Sequence, residues 1–301
     1  MSAEAWDPIA GQPVLMAPGR AARPHDTGST SAAPARPCPF CEGAERDTPR
    51  ETYAERADDA SADSPGWTVR VVPNKFPVMA PGEGVHEVVV PTPRHVTTLG
   101  ELTVTELADA MRVLALRMEV AGDDGRDLVP FAFVNQGAAA GASLQHIHAQ
   151  VVGLPLVPPI MRARDAAFTS DRNPIADELS RRPEFRVGEH RDLVAWCPPV
   201  PPLSGTIRIA PTTRAAQLDS ATDYTALGAL LAEVVGRVDR AFDAPALNVM
   251  LHQQRPGGSD HFHWHVDVVP RLGTLAGLEL GTGVMAIAQE PRAMAERLSA
   301  A

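Results

Sequence analysis

The chain has 301 residues and a mass of 32.0 kDa, with 44% hydrophobic residues and a formal net charge of −10 at pH 7. This composition predicts a globular protein with one large core or two of ordinary size, and the negative charge argues against nucleic-acid binding or attachment to a membrane surface, because both need a basic face. No apolar run approaches the roughly 18 residues of a membrane span, and the N-terminal segment lacks the basic flank and apolar run of a signal peptide, so we expect a cytoplasmic protein.

Two polar, proline-containing segments, 25–37 and 47–66, predict loops near the N-terminus, and the motif Cys38-Pro-Phe-Cys41 lies between them. In a reducing compartment this spacing has three interpretations: a zinc site, a redox pair, or no function. A redox pair would begin a helix inside a βαβ unit, whereas these cysteines lie between loops. Zinc is therefore favoured, and His95 and His146 are the nearest candidates for the two further ligands that it needs.

The next part of the chain predicts a β-β-α-β-β unit. Strands are expected at 67–72 and 86–93, then an amphipathic helix that begins near Thr103, with Glu106 placed for a capping box. Two further strands are expected at 128–137 and 143–155.

The second half of the chain repeats this order, and its "HWHVDVV" answers "HIHAQVV" in the first half. The correspondence pairs His146 with His263, His148 with His265, and Gln150 with Asp267. We therefore predict a tandem duplication: an α+β protein with two antiparallel sheets side by side and one helix packed on each. The repeats are expected at about 67–155 and 186–272, within domains 1–158 and 159–301.

His146, His148 and Gln150 occupy alternate positions of the predicted strand 143–155. Alternate residues of a strand share one face, about 7 Å apart, which leaves the intervening apolar residues for the core. A lone strand histidine is usually structural, but a polar row between apolar neighbours indicates a functional site. Imidazole is largely neutral near pH 7 and so can act as a nucleophile or a metal ligand.

Lys75 is the only lysine of the chain. One interpretation is a coding bias towards arginine that left a single lysine by chance, and the other is a specific need for an ammonium group at this position.

Six segments of the chain are informative together: WDPIAGQPVLMAPGRAARP, CPFCEG, NKFPV, PTPRHVTTLGEL, NQGAAAGASLQHIHAQVVGLP and HFHWHVDVVPRLGTLAGLELGTG. They resemble the galactose-1-phosphate uridylyltransferase family, whose members carry two repeats of the histidine triad superfamily. The resemblance runs from about Asp7 to Thr282 and is strongest between Asn135 and Gln150. It implies a tandem duplicated histidine-triad-like fold.

The resemblance also implies a role for each matching residue. His148 would attack the α-phosphorus of a nucleotide sugar, and Gln150 would donate to the phosphoryl oxygens. The remaining roles are structural Zn²⁺ ligands (Cys38, Cys41, His95, His146), phosphate-binding arginines (Arg20, Arg23), the nucleotide pocket (Asn74, Asn135, Ser143, with Lys75 nearby) and a hexose-binding glutamate (Glu279).

The activity that the resemblance implies is exchange of UMP between UDP-glucose and galactose 1-phosphate, in two displacements through a uridylyl-histidine. A homodimer is expected, with Arg20, Arg23 or Glu279 reaching the partner's site. Two alternatives remain. The first is a phosphorylase or hydrolase of nucleotide sugars or dinucleoside polyphosphates from the same superfamily, and the second is an inactive, zinc-stabilised binding protein.

The chain departs from the family at two places. Ile147 stands between the two histidines, where proline is common. Some members also hold a second metal through three histidines and a glutamate. Asp267 replaces one of these histidines, which weakens the case for a second metal on His252, His265 and Asp267.

Overall fold

The computed structural model of the protein describes residues 5–22, 38–56, 60–80 and 82–301. Its strands, in chain order, are β1 (Ala5–Trp6), β2 (Pro13–Val14), β3 (Tyr53–Arg56), β4 (Trp67–Pro73), β5 (Val85–Val90), β6 (Val129–Gln136), β7 (Ala149–Leu154), β8 (Arg186–His190), β9 (Leu193–Trp196), β10 (Ile207–Pro211), β11 (Leu247–His252) and β12 (His265–Pro270). Its α-helices are α1 (Val104–Gly122), α2 (Pro159–Ala167), α3 (Pro174–Arg181), α4 (Tyr224–Phe242), α5 (Gly277–Thr282) and α6 (Pro291–Ala300). None of the helices in the described ranges is long and apolar enough to cross a lipid bilayer.

Ten of the described strands form one antiparallel sheet, in the order β3-β4-β5-β7-β6-β11-β12-β10-β9-β8. The second five strands repeat the first five in mirror order, and β6 pairs with β11 at the centre, where Asn135 lies opposite Asn248. The two predicted sheets are therefore halves of one continuous sheet. β7 lies between β5 and β6 as β12 lies between β10 and β11, which is the equivalence that the duplication predicts.

Helices α1 and α4 pack on one face of this sheet and against each other. Helix α1 begins with the predicted capping box, in which Thr103 and Glu106 each bond the other's backbone N–H. Its buried side chains, such as Leu107 and Leu114, join Leu227 and Leu230 of α4 in a single apolar core that also includes alternate residues of the central strands. The core thus spans both repeats.

The opposite face of the sheet is covered differently in the two repeats. In the first repeat, Phe40 of the CxxC segment packs on Val88 and Val90 of β5. In the second repeat, Ile175 and Leu179 of α3 belong to the cluster that covers the equivalent strands. The CxxC segment therefore covers the face of the sheet that carries Gln150, next to His148.

The predicted α+β fold is confirmed, and the structure differs from the sequence-based elements at two strands. The strand expected at 143–155 begins only at Ala149, because the preceding chain is held by a different bond, from the Ile147 N–H to the Val96 carbonyl (2.8 Å). The segment 47–66 contains β3, an edge strand whose half-exposed side chains lack a strong apolar alternation. Residues 25–37 lie outside the described residues, and the boundaries 1–158 and 159–301 stay a prediction.

Candidate functional site

Four metal-binding side chains, Cys38, Cys41, His95 and His146, meet just before the start of β7. The two cysteines belong to one tight turn, in which the Cys41 N–H donates to the Cys38 carbonyl (3.2 Å). His95 follows β5, and His146 precedes β7. All four ligand atoms lie within 4.8 Å of one another, so the group could bind a metal ion.

The geometry of this group fits a tetrahedral ion with nitrogen and sulfur ligands. The Sγ atoms of Cys38 and Cys41 lie 3.4 and 3.7 Å from His146 Nδ1, and Cys41 Sγ lies 3.2 Å from His95 Nδ1. A tetrahedral zinc ion, with bonds of about 2.3 Å to sulfur and 2.0 Å to nitrogen, requires about 3.6 Å between such atoms. The other ring nitrogen of His146 donates to the Thr92 carbonyl (3.3 Å), as is usual for metal-binding histidines.

Burial controls the protonation of two of these groups. It lowers the pKa of His146 to about 4, so this imidazole is neutral at pH 7 and its Nδ1 lone pair is available to a metal. It raises the pKa of the Cys38 thiol to about 11. A thiolate at this position therefore requires a neighbouring cation, which a bound metal would supply.

His148 lies two residues beyond His146 and is buried, with 3% of its surface exposed. Its Nδ1 lies 2.8 Å from the His146 carbonyl oxygen, which can only accept a proton. Nδ1 therefore carries the ring proton, and the lone pair of the neutral imidazole lies on Nε2. The Phe40 ring packs against the His148 ring at 5.2 Å between centroids, so the CxxC segment supports this histidine directly.

Gln150 is buried in β7, and its carboxamide contacts the ring of His86 on the neighbouring strand β5. Gln150 Oε1 lies 2.9 Å from His86 Nε2. The other ring nitrogen of His86 accepts from the backbone N–H of Val78 (3.1 Å), and Asn74 Nδ2 also approaches Nε2 (3.0 Å). The turn after β4 is thus linked through His86 to the face that carries His148.

An open cleft lies beside this histidine segment, lined by Thr97, Gly137, Ala138, Leu144 and Gln145. Asn135, at the end of β6, is half-buried close to it in the chain, and its Oδ1 accepts from Asn248 Nδ2 (2.8 Å). Ser143 is buried in the loop that leads to the histidines.

The second repeat carries an equivalent cluster, in which His252, His265 and Asp267 are all buried and within ligand distance of one another. His265 repeats the bond of His148, with its Nδ1 3.0 Å from the His263 carbonyl. Two arginines supply positive charge here. Arg208 donates to both carboxylate oxygens of Asp267 (2.7 and 3.1 Å), and Arg164 Nη1 lies 3.3 Å from His252 Nδ1.

These arginines set the charge state of the second cluster. Burial favours the neutral carboxylic acid at Asp267, but the charge of Arg208 outweighs it and holds the pKa of Asp267 well below its usual range. Burial and the charge of Arg208 keep the pKa of His265 well below its ordinary value, and burial also lowers the pKa of His252. The cluster is therefore a neutralised ion pair beside two neutral imidazoles.

No family model matches the chain. A curated ADP-glucose phosphorylase from Arabidopsis thaliana is 27% identical over 92% of this chain and 86% of its own length. A galactose-1-phosphate uridylyltransferase from Thermotoga maritima is 25% identical over 92% of this chain and 91% of its own length.

Among solved structures, an Arabidopsis ADP-glucose phosphorylase with bound ADP-glucose is 25% identical, with a TM-score of 0.78 over 99% of this chain and 98% of that one. A uridylyltransferase structure, 24% identical, has a TM-score of 0.79 over 98% and 96%.

The chain is homologous to proteins named galactose-1-phosphate uridylyltransferase and ADP-glucose phosphorylase, and it shares the fold of the solved ADP-glucose phosphorylase. The structure brings together most of the residues predicted from the sequence: the four candidate metal ligands, His148 beside them, and Gln150 in contact with His86, whose ring also lies against Asn74. The side chain of Arg20 reaches the turn that follows Asn74, where Nη1 donates to the Phe76 carbonyl (2.8 Å).

Three further predicted residues stay predictions. Lys75 is exposed next to Asn74. Glu279 lies in α5, where its carboxylate accepts from the Ala276 N–H (2.9 Å) and so caps its own helix. Arg23 lies outside the described residues.

The sequence analysis did not identify four residues whose side chains contact the two histidine clusters from other elements: His86, Phe40, Arg164 and Arg208. His86 carried a signal, since it is a histidine inside a predicted strand, on the face that Val88 and Val90 share. Arg208 carried a similar one, because a charge in a predicted inner strand needs a buried partner. Arg164 belongs to α2, which has no counterpart among the described residues of the first repeat.

Proposed function

We propose that the chain is a nucleotidyltransferase that acts on a nucleotide sugar through a covalent nucleotidyl-His148. The observation that carries this proposal is the bond from His148 Nδ1–H to the His146 carbonyl, which leaves the lone pair on Nε2. A neutral imidazole held in one tautomer can attack phosphorus without a general base.

The reaction consists of two displacements at the α-phosphorus. In the first, His148 Nε2 forms a P–N bond while the bond from this phosphorus to the bridging oxygen breaks, and the sugar 1-phosphate leaves with that oxygen. In the second, a phosphate oxygen of the acceptor attacks the same phosphorus, the P–N bond breaks, and the electron pair returns to Nε2. One pocket can thus serve donor and acceptor in turn.

Transfer of this kind depends on positioning and on neutralising the phosphoryl oxygens. Gln150 lies two residues beyond His148 and would donate to these oxygens. Arg20 and Arg23 would supply guanidinium groups, whose fork-like geometry matches phosphate. Asn74, Asn135 and Ser143 would line the nucleotide pocket, with Lys75 at its edge.

Cys38, Cys41, His95 and His146 would hold one Zn²⁺ in a structural role. Protein atoms occupy all four tetrahedral positions, so no position remains for water or substrate. The bound ion would fix His146, whose carbonyl orients His148, and it would hold Phe40 against the His148 ring.

The acceptor separates two candidate activities. The first is exchange of UMP between UDP-glucose and galactose 1-phosphate in galactose metabolism, and the similarity to a galactose-1-phosphate uridylyltransferase supports it. The second uses inorganic phosphate and ADP-glucose, and the resemblance of the chain and of its fold to ADP-glucose phosphorylase favours it. Glu279 gives the first candidate little support, because its carboxylate is engaged in capping α5.

Trapping the covalent intermediate tests the shared step. Incubation with UDP-glucose or ADP-glucose labelled at the α-phosphorus, without acceptor, should release glucose 1-phosphate and leave an acid-labile, alkali-stable label on the protein. His148→Gly should abolish the label, whereas His146→Ala should first lower metal content and stability. A label that survives in His148→Gly contradicts the mechanism, and a wild-type protein that takes no label supports an inactive binding protein instead.

The acceptor is then identified by discharging the labelled protein. Release of UDP-galactose on addition of galactose 1-phosphate supports the transferase. Release of ADP or UDP on addition of phosphate alone supports the phosphorylase, and release of the mononucleotide in buffer supports a hydrolase. The donor that labels the protein identifies the base.

We also propose that the protein is a homodimer in which Arg20, Arg23 or Glu279 reaches the partner's site. Leu278 and Leu280, the exposed apolar neighbours of Glu279 in the chain, support an interface there. Sedimentation at the mass of a single chain would contradict it.

A further inference from the structure

We propose that His86 is a positioning residue that fixes the orientation of the Gln150 carboxamide, so that the NH₂ group of Gln150 is directed to the transferred phosphoryl group. The inference rests on the proposed nucleotidyl transfer at His148. It assigns a function to a buried histidine that is neither a metal ligand nor the nucleophile.

The first step is the tautomer of His86. The backbone N–H of Val78 donates to His86 Nδ1 at 3.1 Å. A backbone N–H can only donate, so Nδ1 must carry a lone pair. A neutral imidazole has one ring proton, which is therefore on Nε2.

The second step is the acceptor of that proton. Two side-chain atoms approach His86 Nε2, namely Gln150 Oε1 at 2.9 Å and Asn74 Nδ2 at 3.0 Å. The Asn74 carboxamide is itself oriented by the Phe76 N–H, which donates to Asn74 Oδ1 (2.8 Å), so Asn74 presents its NH₂ group to the ring. Of the two atoms only the Gln150 oxygen can accept the proton, so Nε2–H donates to Gln150 Oε1. The Asn74 NH₂ group is a second donor beside Nε2 and forms no hydrogen bond with this tautomer.

The third step concerns the other end of Gln150. A carboxamide whose oxygen is held by His86 presents its nitrogen in the opposite direction. Val88, opposite Gln150 in the sheet, belongs to the cluster of Phe40, and Phe40 contacts the His148 ring, so Gln150 lies on the side of the sheet where His148 is. Two N–H donors there would stabilise the negative phosphoryl oxygens, whereas a rotated carboxamide would turn its oxygen towards them and repel them. His86 and Gln150 are 8% and 3% exposed, so water competes little for this bond.

A purely structural role for His86 is the competing explanation, because the same ring anchors the turn between β4 and β5 through the Val78 N–H. Two substitutions separate the roles. His86→Gln places an amide nitrogen near the position of Nε2 and keeps a donor for Gln150, but loses the acceptor for Val78. His86→Asn keeps an acceptor near Nδ1 for Val78, but is too short to reach Gln150.

The test measures the first-order rate of labelling of His148 by rapid quench, over a range of nucleotide-sugar concentrations. We expect His86→Gln to stay within about threefold of wild type. His86→Asn should label about ten- to a hundredfold more slowly at saturation, with little change in half-saturating concentration, since loss of one oriented donor to a transition-state oxyanion costs about 10²–10³. In a Gln150→Ala background, His86→Asn should cause no further loss.

Several outcomes would overturn the role of His86. They are a loss in His86→Gln equal to that in His86→Asn, a labelling rate in His86→Asn equal to wild type, and a His86→Asn effect that persists in Gln150→Ala. A wild-type protein that acquires no label overturns the proposed function instead. The tautomer is tested separately, without substrate, by ¹⁵N NMR of histidine-labelled protein: a proton on Nε2 of His86 is expected, and a proton on Nδ1 contradicts the inference.

Discussion

At the scale of single residues, the candidate metal cluster and His148, the proposed nucleophile, are connected through backbone and ring contacts. His146 contributes its side chain to the cluster and its carbonyl to His148, and Phe40 lies between the two cysteines and packs on both histidine rings. The metal is therefore expected to orient a catalytic group without contacting the substrate.

Two cysteine substitutions test this arrangement. Cys38→Ala should remove most of the bound zinc and lower the melting temperature by about 5 °C or more, because binding free energy at a structural zinc site is folding free energy. Cys197→Ala is the matched control. Cys197 is buried in the main core, away from the four candidate ligands, so the zinc content of the Cys197→Ala protein should equal that of wild type. Unchanged zinc in Cys38→Ala would remove Cys38 from the site.

A second prediction concerns pH and His263, whose pKa burial lowers to about 4. In the unfolded chain a histidine has a pKa near 6.5, so between pH 6.5 and 4 the unfolded state binds more protons and stability falls as pH falls. The full effect of this one group is about 3 kcal/mol.

His263→Gln should therefore make the free energy of unfolding less dependent on pH over this range, since glutamine can still donate to the Pro211 carbonyl that His263 Nε2 contacts (2.9 Å). His261→Gln, at an exposed position two residues away, is the control and should follow wild type. Denaturant unfolding at pH 7 and pH 4.5 measures both, and equal pH slopes in all three proteins would contradict the assignment.

At the scale of elements, the contact between α1 and α4 depends on a glycine. A Cβ atom at Gly228 would lie 2.7 Å from the Val104 carbonyl oxygen and 2.8 Å from the Ala108 nitrogen, so the backbones of the two helices would have to separate. This close approach brings the two repeats into one core.

Gly228→Ala should lower the free energy of unfolding by about 1–3 kcal/mol through overpacking. Gly236→Ala in the same helix is the matched control. There a Cβ would meet only the end of the Arg240 side chain (3.2 Å), and the better helix propensity of alanine should stabilise by about 0.5–1 kcal/mol. Equal effects of the two substitutions on chemical denaturation would contradict the packing argument.

At the scale of the whole molecule, the two repeats share both the sheet and the core. β6 pairs with β11, and α1 packs against α4, so separating the repeats would expose a sheet edge and a large apolar helix face. The boundary predicted between residues 158 and 159 therefore separates two repeats that share one core.

We accordingly expect a single cooperative unfolding transition. Scanning calorimetry should give one peak whose calorimetric and van't Hoff enthalpies agree, for the zinc-loaded protein. Two separate peaks, or a ratio of enthalpies near two, would show that the repeats unfold independently.

The sequence by itself determined the elements and the chemistry carried by neighbouring residues. The capping box at Thr103 and Glu106 follows from local spacing, and the equivalence of His148 and His265 follows from the repeated order of the two halves. The grouping of the CxxC motif with His95 and His146 was favoured by the ligands that zinc needs and implied by the family resemblance. The edge strand β3 was not predicted, since its half-exposed side chains give no alternation.

Only the tertiary structure decided which distant side chains meet. Arg208 neutralises Asp267 from a neighbouring strand, Arg164 reaches His252 from an inserted helix, and His86 lies 64 residues from Gln150 in the chain. Strand register sets the contacts of Arg208 and His86, and register depends on ladder bonds and core packing summed over the whole sheet. The packing of α2 sets the contact of Arg164. A residue's partners across strands are therefore a property of the folded sheet, whereas its chemical type is a property of the sequence.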